Sequence, residues 1–210
     1  MKRHPCIMAL GLGILTFAFT SCGSTTADPD LPQIEKPSKL MADTIQDRIN
    51  QIEYQDGDEL LANLTWLSNQ GVASLPGLIG ALDNPVPKVR ANAAWCLGQA
   101  GNRKAIPYLQ KRANDKNPTV RLEISRQLLF LGDYSQVATL ITGLDSDNAR
   151  VRFLAYEALR STTGKDYGYD FRVASKEGRA ESVAKWNAWW TEQKQSQWFE
   201  NTSRMAAPGK

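Results

Sequence analysis

The sequence predicts an all-α protein, an α-α superhelix of about four helix pairs closed by a C-terminal capping helix. Three observations predict it. Val89-Arg90, Val120-Arg121 and Val151-Arg152 stand in register at a spacing of 31 residues, and so do Leu97, Leu128 and Leu159. Between these positions apolar residues recur at helical spacing, with glycine and proline at the breaks. After Thr163 the repeat gives way to an aromatic stretch and one longer helix. A period of about 20–50 residues marks a solenoid, whose units are each too small to bury their own apolar face. Stacking supplies the core, which points to a scaffold or binding protein and away from an enzyme built around a pocket.

At the front, Lys2 and Arg3 precede an uncharged apolar run from Ile7 to Phe19. A spanning helix needs about 20 apolar residues, so this shorter run suits a secretory signal over residues 1–21. It ends in Phe19-Thr20-Ser21-Cys22, followed by Gly23. That sequence resembles the lipobox of bacterial lipoproteins, with phenylalanine where leucine is usual. The resemblance implies lipidation at Cys22, several acyl chains and hence a stable membrane anchor. It also implies a bacterial cell-envelope location, on a periplasmic or cell-surface face, with Gly23 favouring the outer membrane. The alternative is a plain cleaved signal that leaves Cys22 as a thiol.

Cleavage would remove Lys2, Arg3, Cys6 and the only histidine, His4, leaving 23 basic residues against 22 acidic ones. That balance lacks the basic stripe a nucleic-acid partner wants, so no nucleic acid is expected. Cys96 then has no intrachain partner, and its neighbours Ala93, Ala94 and Leu97 predict a buried packing role.

Residues 22–41 are rich in Ser, Thr, Asp and Pro and read as a flexible tether. The solenoid is expected over 42–163. Ile45, Ile49 and Ile52 share one helical face before Gly57 breaks the run. Asp58 is expected to cap the next helix, whose apolar stripe is Leu60, Leu61, Leu64 and Leu67, with Gly71 at its end. The regular units follow. Short helices are predicted over Leu75–Leu82, Ala105–Ala113 and Gln136–Leu144. Turns at Asp83–Pro87, Asp115–Pro118 and Asp145–Asn148 lead to second helices over Lys88–Ala100, Thr119–Leu131 and Ala149–Ser161. Prolines at the helix starts lose no hydrogen bond there.

Pro85, Val89-Arg90, Ala93-Ala94, Leu97-Gly98, Gly101 and Ile106-Pro107-Tyr108-Leu109, with their copies, resemble HEAT repeats of the short bacterial, phycobilisome-lyase type. The resemblance covers about Leu60 to Thr163. It implies an armadillo-like helical fold and says little of activity; bilin chemistry is not inferred, because that work is cytoplasmic and this chain carries an export signal.

Arg90, Arg121 and Arg152 each follow an aspartate, Asp83, Asp115 and Asp145, by six or seven residues. As a structural ladder, the arginines would tie turn carbonyls and inter-unit aspartates, as the resemblance implies; as a functional one, they would bind anions. The second helices of HEAT pairs line the concave surface. Opposite their core faces lie Lys88, Asn92, Trp95 and Gln99, then Thr119, Glu123, Arg126 and Phe130, then Arg150, Leu154, Glu157 and Ser161. Trp95, Phe130 and Leu154 are apolar where a solvated helix would be polar, so Trp95, Glu123, Arg126, Phe130 and Glu157 are the candidate partner contacts.

Residues 164–200 form the aromatic loop and cap. A helix from Lys176 to about Gln195, capped by Ser175, carries Val183, Trp186 and Trp190 on one side, suited to closing the open end of a solenoid. Trp189 and Trp198 are the exposed members on which a glycan or peptidoglycan site would rest. Residues 201–210 read as a frayed tail. Without histidine the mature chain has no Ser-His-Asp or Cys-His pair and no histidine-ligated metal; no catalytic residue, metal or cofactor is expected. Glu123 and Glu157 are the only acid/base pair worth weighing. The reading is an anchored interaction scaffold for an unidentified envelope protein, with the glycan-binding module as its alternative.

Overall fold

The computed structural model describes residues 31–195. The expected signal peptide, Cys22, Trp198 and the C-terminal tail lie outside the described residues. Among those described, the chain forms nine α-helices and no strand: α1 Lys39–Gln51, α2 Gly57–Asn69, α3 Leu75–Ala81, α4 Pro87–Gln99, α5 Ile106–Lys111, α6 Pro118–Phe130, α7 Val137–Gly143, α8 Ala149–Thr163 and α9 Lys176–Gln195. They pair as α1/α2, α3/α4, α5/α6 and α7/α8, the α-α superhelix that the repeat predicts. No helix among the described residues is long and apolar enough to cross a membrane.

Local chemistry explains the boundaries. Pro87 and Pro118 sit in the first turn of α4 and α6, and Asn117 and Asn148 accept hydrogen bonds from first-turn N–H groups of α6 and α8. Gly101 and Gly132 follow α4 and α6 at φ of +67° and +82°, a left-handed conformation costly for a residue with a Cβ. Short 3-10 turns at Gly71–Ser74, Arg103–Ala105 and Tyr134–Gln136 precede α3, α5 and α7, a detail the apolar spacing does not encode. α8 runs to Thr163, two residues past the expected Ser161, because the left-handed Gly164 closes it.

Two apolar clusters fill the stack. The first joins α1 to α6, with Ile45, Ile49, Ile52, Leu67, Leu97 and Leu109 all buried. The second joins α6 to α9 and includes Leu140, Ala155, Leu159 and Trp186. α6 belongs to both: Val120, Ile124 and Leu128 face the first, and Leu122 and Leu129 the second. A helix apolar on opposite sides must be buried, and α6 is the keystone of the stack.

Three expectations need correction near the N-terminus. Asp56, not Asp58, occupies the N-cap position of α2, and Asp58 lies inside the first turn. Leu61 is 55% exposed, because the buried side of α2 runs through Asn63, Leu64, Leu67 and Ser68. Residues 31–38, expected as part of the tether, lie against the body. Ile34 packs on the first cluster, and the Tyr108 hydroxyl donates to the Pro32 carbonyl at 2.8 Å.

The C-terminal segment forms a lid, as expected. The Ser175 hydroxyl accepts from the Gly178 N–H at the start of α9, Trp186 is fully buried, and Trp190 is 6% exposed. Tyr167 meets Trp186 edge-on at 4.9 Å, and the Tyr169 hydroxyl donates to the Leu144 carbonyl at the end of α7. Trp189, expected as an exposed glycan contact, is only 8% exposed. It packs edge-on against Trp186 at 5.6 Å. All three tryptophans of α9 turn inward because the end of a solenoid offers a broad apolar face to cover.

Candidate partner-binding groove

The second helices α4, α6 and α8 lie side by side and form a groove. One open cleft of about 660 Å³ is lined by Lys88, Asn92, Trp95, Thr119, Glu123, Arg126, Arg150 and Leu154, together with Leu60, Pro87, Ala91 and Asn117. An adjoining cleft of about 230 Å³ is lined by Gln99, Phe130, Glu157 and Ser161, with Arg126 shared between the two. All twelve positions of the predicted stripe therefore meet on one surface. The first cleft lies toward the N-terminal ends of these helices and the second toward their C-terminal ends.

Within the groove the side chains differ in availability. Phe130 is 60% exposed, while Trp95 is half-buried with one part of its ring on the first core cluster. Trp95 rests on the first cluster, whereas the tryptophans of the lid belong to the second. The Lys88 ammonium is tied to the α1–α2 loop, donating to the Gln55 carbonyl and pairing with Asp56 at 2.9 Å. The Arg126 Nη1 meets Glu123 at 2.7 Å, and the Gln127 amide donates to the other Glu123 oxygen at 2.6 Å. The Nε of Arg126 is buried and has no hydrogen-bond partner. Glu157 stands 3.8 Å from Arg160 on its own helix. Each of the two carboxylates has its own partners, Glu123 with Arg126 and Gln127, and Glu157 with Arg160.

Gln127 is a groove residue that helical spacing alone missed. It is nearly fully buried and lies over Gly98, whose added Cβ would sit 1.9 Å from the Gln127 Oε1. The glycine of the repeat motif is thus the space into which the next unit's glutamine fits.

Behind the groove the arginines of the ladder bond turn carbonyls and an aspartate, with partners partly different from those expected. Arg90 forks onto Asp115 through Nε and Nη2 at 2.8 Å each, while its Nη1 donates to the carbonyls of Asn84 and Pro85. Arg121 donates to the carbonyls of Asp115 and Lys116, and Arg152 to those of Ser146, Asp147 and Phe171. Asp83 is paired instead by Arg112, at the end of α5. Asp145 is paired by Arg179 of α9, whose side chain is fully buried and which also donates to the carbonyls of Val173 and Ala174.

Arg179 was missed because it breaks the 31-residue interval, coming 27 residues after Arg152. A position count would have found it. Arg90, Arg121, Arg152 and Arg179 are each the fourth residue of their helix, and each bonds the carbonyls six and five residues before it. α9 is therefore built at its start like a further second helix.

Cys96 lies at the centre of this framework, fully buried, with its Sγ 3.5 Å from the Leu64 carbonyl. Burial pushes its thiol up to about 12, the behaviour of a packing residue and not of a nucleophile.

Residues 75–160 match the family model described as HEAT repeats, which supports a HEAT-repeat protein. No curated protein was found to match the chain. The matched segment begins at α3 and ends within α8, so it covers α4, α6 and most of α8 but leaves out Leu60 and Ser161 of the lining. HEAT repeats suggest a protein–protein interaction scaffold.

Proposed function

We propose that this protein is a membrane-anchored scaffold of the bacterial cell envelope that binds another protein through the groove of α4, α6 and α8. The observation that supports this best is the convergence of the stripe. Twelve residues at non-core positions of three helices line two adjoining clefts, with Trp95, Phe130 and Leu154 among them. Trp95 and Leu154 rest partly on the two core clusters, but Phe130 is exposed, and interfaces centre on aromatic anchors ringed by polar groups. The anchor rests on Cys22 and the apolar run before it. Residues 31–38 are seated on the body, which leaves residues 23–30 as the link to Cys22, at most about 30 Å when extended. The scaffold would then work close to its membrane.

The glycan reading loses one of its two tryptophans, since Trp189 is buried in the lid. The test is a pull-down of the detergent-solubilised full-length protein beside a Trp95→Ala/Phe130→Ala variant of checked helicity, with mass spectrometry of the Cys22 peptide for acyl chains. A client captured by wild type and lost by the variant supports the groove. Equal capture by both removes it from the reading, and an unacylated Cys22 removes the anchor.

A further inference from the structure

The charges of the groove point to the chemistry of its occupant, an inference that rests on the groove reading above. The larger cleft is lined by three cations, Lys88, Arg126 and Arg150, against one carboxylate, Glu123. The charge of Lys88 is paired by Asp56, beside the α1–α2 loop, and that of Arg126 by Glu123, although the Arg126 Nε keeps no partner. Arg150 is left over. Its backbone N–H donates to the Asn148 side chain, but among the described residues its guanidinium has neither a hydrogen-bond nor an ion-pair partner.

Its position makes the surplus more telling. Arg150 is the second residue of α8, whose first turn holds no acidic residue. The N-terminal end of a helix carries partial positive charge, so a cation there is unfavourable for the helix itself. Arg152, two residues on, is a further cation, its guanidinium committed to three backbone carbonyls. The N-terminal ends of α4 and α6 border the same cleft through Pro87 and Thr119, adding two further positive helix ends. An anionic group beside Arg150 would sit at the start of α8, on the side of the cleft that α6 borders through Thr119. Beside it, Trp95 and Leu154 offer an apolar wall.

We propose that the groove takes an internal segment of a partner polypeptide in which an Asp or Glu side chain adjoins a bulky apolar residue. The carboxylate pairs with Arg150 at the N-terminal ends of the helices, and the apolar side chain rests on Trp95 and Leu154. An internal segment fits better than a chain end because the cleft is open and continues past Arg126 into the second cleft. There Phe130 and Glu157 meet the rest of the segment. A carboxylate and an adjacent apolar anchor give the pairing both an orientation and a water-excluded centre.

The test is selection from a random-peptide display library on the full-length protein, with the selected peptides then titrated against Arg150→Glu, Trp95→Ala and wild type. Selected sequences should share an Asp or Glu next to Leu, Phe or Trp. Each substitution should weaken binding about tenfold or more. Arg150→Glu should also leave the melting temperature unchanged or raised, since an acid suits the start of α8 where an arginine does not. That combination separates loss of a binding contact from loss of fold. Peptides without an acid, or acidic peptides indifferent to Arg150→Glu but lost with Trp95→Ala, would overturn the carboxylate assignment and leave the groove intact. Peptides indifferent to both substitutions, or no selected peptide, would overturn the groove reading and this inference with it.

Discussion

Arg90 and Asp115 clasp one another across the boundary between two helix pairs, with two hydrogen bonds of 2.8 Å and side chains only 6% and 8% exposed. The guanidinium also holds the turn before its own helix, so one residue fixes both the entrance to α4 and its distance from the next unit. Breaking a buried pair from one side leaves a stranded charge, at a cost of about 3–5 kcal/mol. Asp115→Ala should lower the urea midpoint accordingly, and Arg90→Lys alone should lower it too, because an ammonium cannot fork onto the Asp115 carboxylate.

The same pair sets a pH dependence. The Arg90 hydrogen bond holds the Asp115 carboxyl below its usual range, outweighing the opposing effect of burial. A depressed folded value means the pair contributes its full stability above the ordinary carboxylate value of about 4 and loses it as pH falls through the depressed value. Wild type should lose stability on acidification more steeply than Asp115→Asn, measured as urea midpoints between neutral and acidic pH.

Gly98 and Gln127 make a second inter-unit fit. Gly98→Ala would drive a methyl into the Gln127 amide, at an overpacking cost of about 1–3 kcal/mol. Gly98→Ala combined with Gln127→Ala should recover much of the loss, whereas independent effects would simply add. Thermal denaturation of the two single variants and the double variant decides between them.

Arg179→Ala should loosen the lid. The substitution removes the bonds that hold the loop before α9 and leaves the Val173 and Ala174 carbonyls without their donor, while the half-exposed Asp145 stays solvated, so a loss of about 1–3 kcal/mol is expected. Tryptophan emission should shift to the red as Trp186, Trp189 and Trp190 become wet. An unshifted spectrum would mean that the aromatic packing holds the lid without Arg179.

Cys96 should resist thiol reagents in the folded protein and react only on unfolding, because burial raises its thiol to about 12 and hides it under α2 and α4. Labelling as a function of urea should follow the global unfolding curve. Reaction well below that midpoint would reveal local opening between the first two pairs.

Much of this architecture is legible in the chain. The 31-residue register located the helix pairs, and its non-core positions named the groove, because a helix presents the same side wherever its sequence phase is the same. Apolar spacing also identified Ile45, Ile49 and Ile52 as core. Leu61 shows where such reasoning stops: its hydrophobicity is local, but its exposure depends on how α2 is rotated against α1 and α4. Trp189 shows the same in reverse, because an end helix with no following unit is rolled toward the lid by its aromatic neighbours.

The sequence alone therefore determined the all-α repeat, the boundaries marked by proline, asparagine and glycine, and the set of side chains that share the groove. These are consequences of local dihedral preference and of a fixed helical period. Only the tertiary structure decided who pairs with whom. Asp115 goes to Arg90, Asp83 to Arg112 and Asp145 to Arg179, and Lys88 and Arg126 are neutralised while Arg150 is not. Pairing depends on distances between units of about a hydrogen-bond length, set by the packing of whole helices, and no local spacing in the chain carries that information.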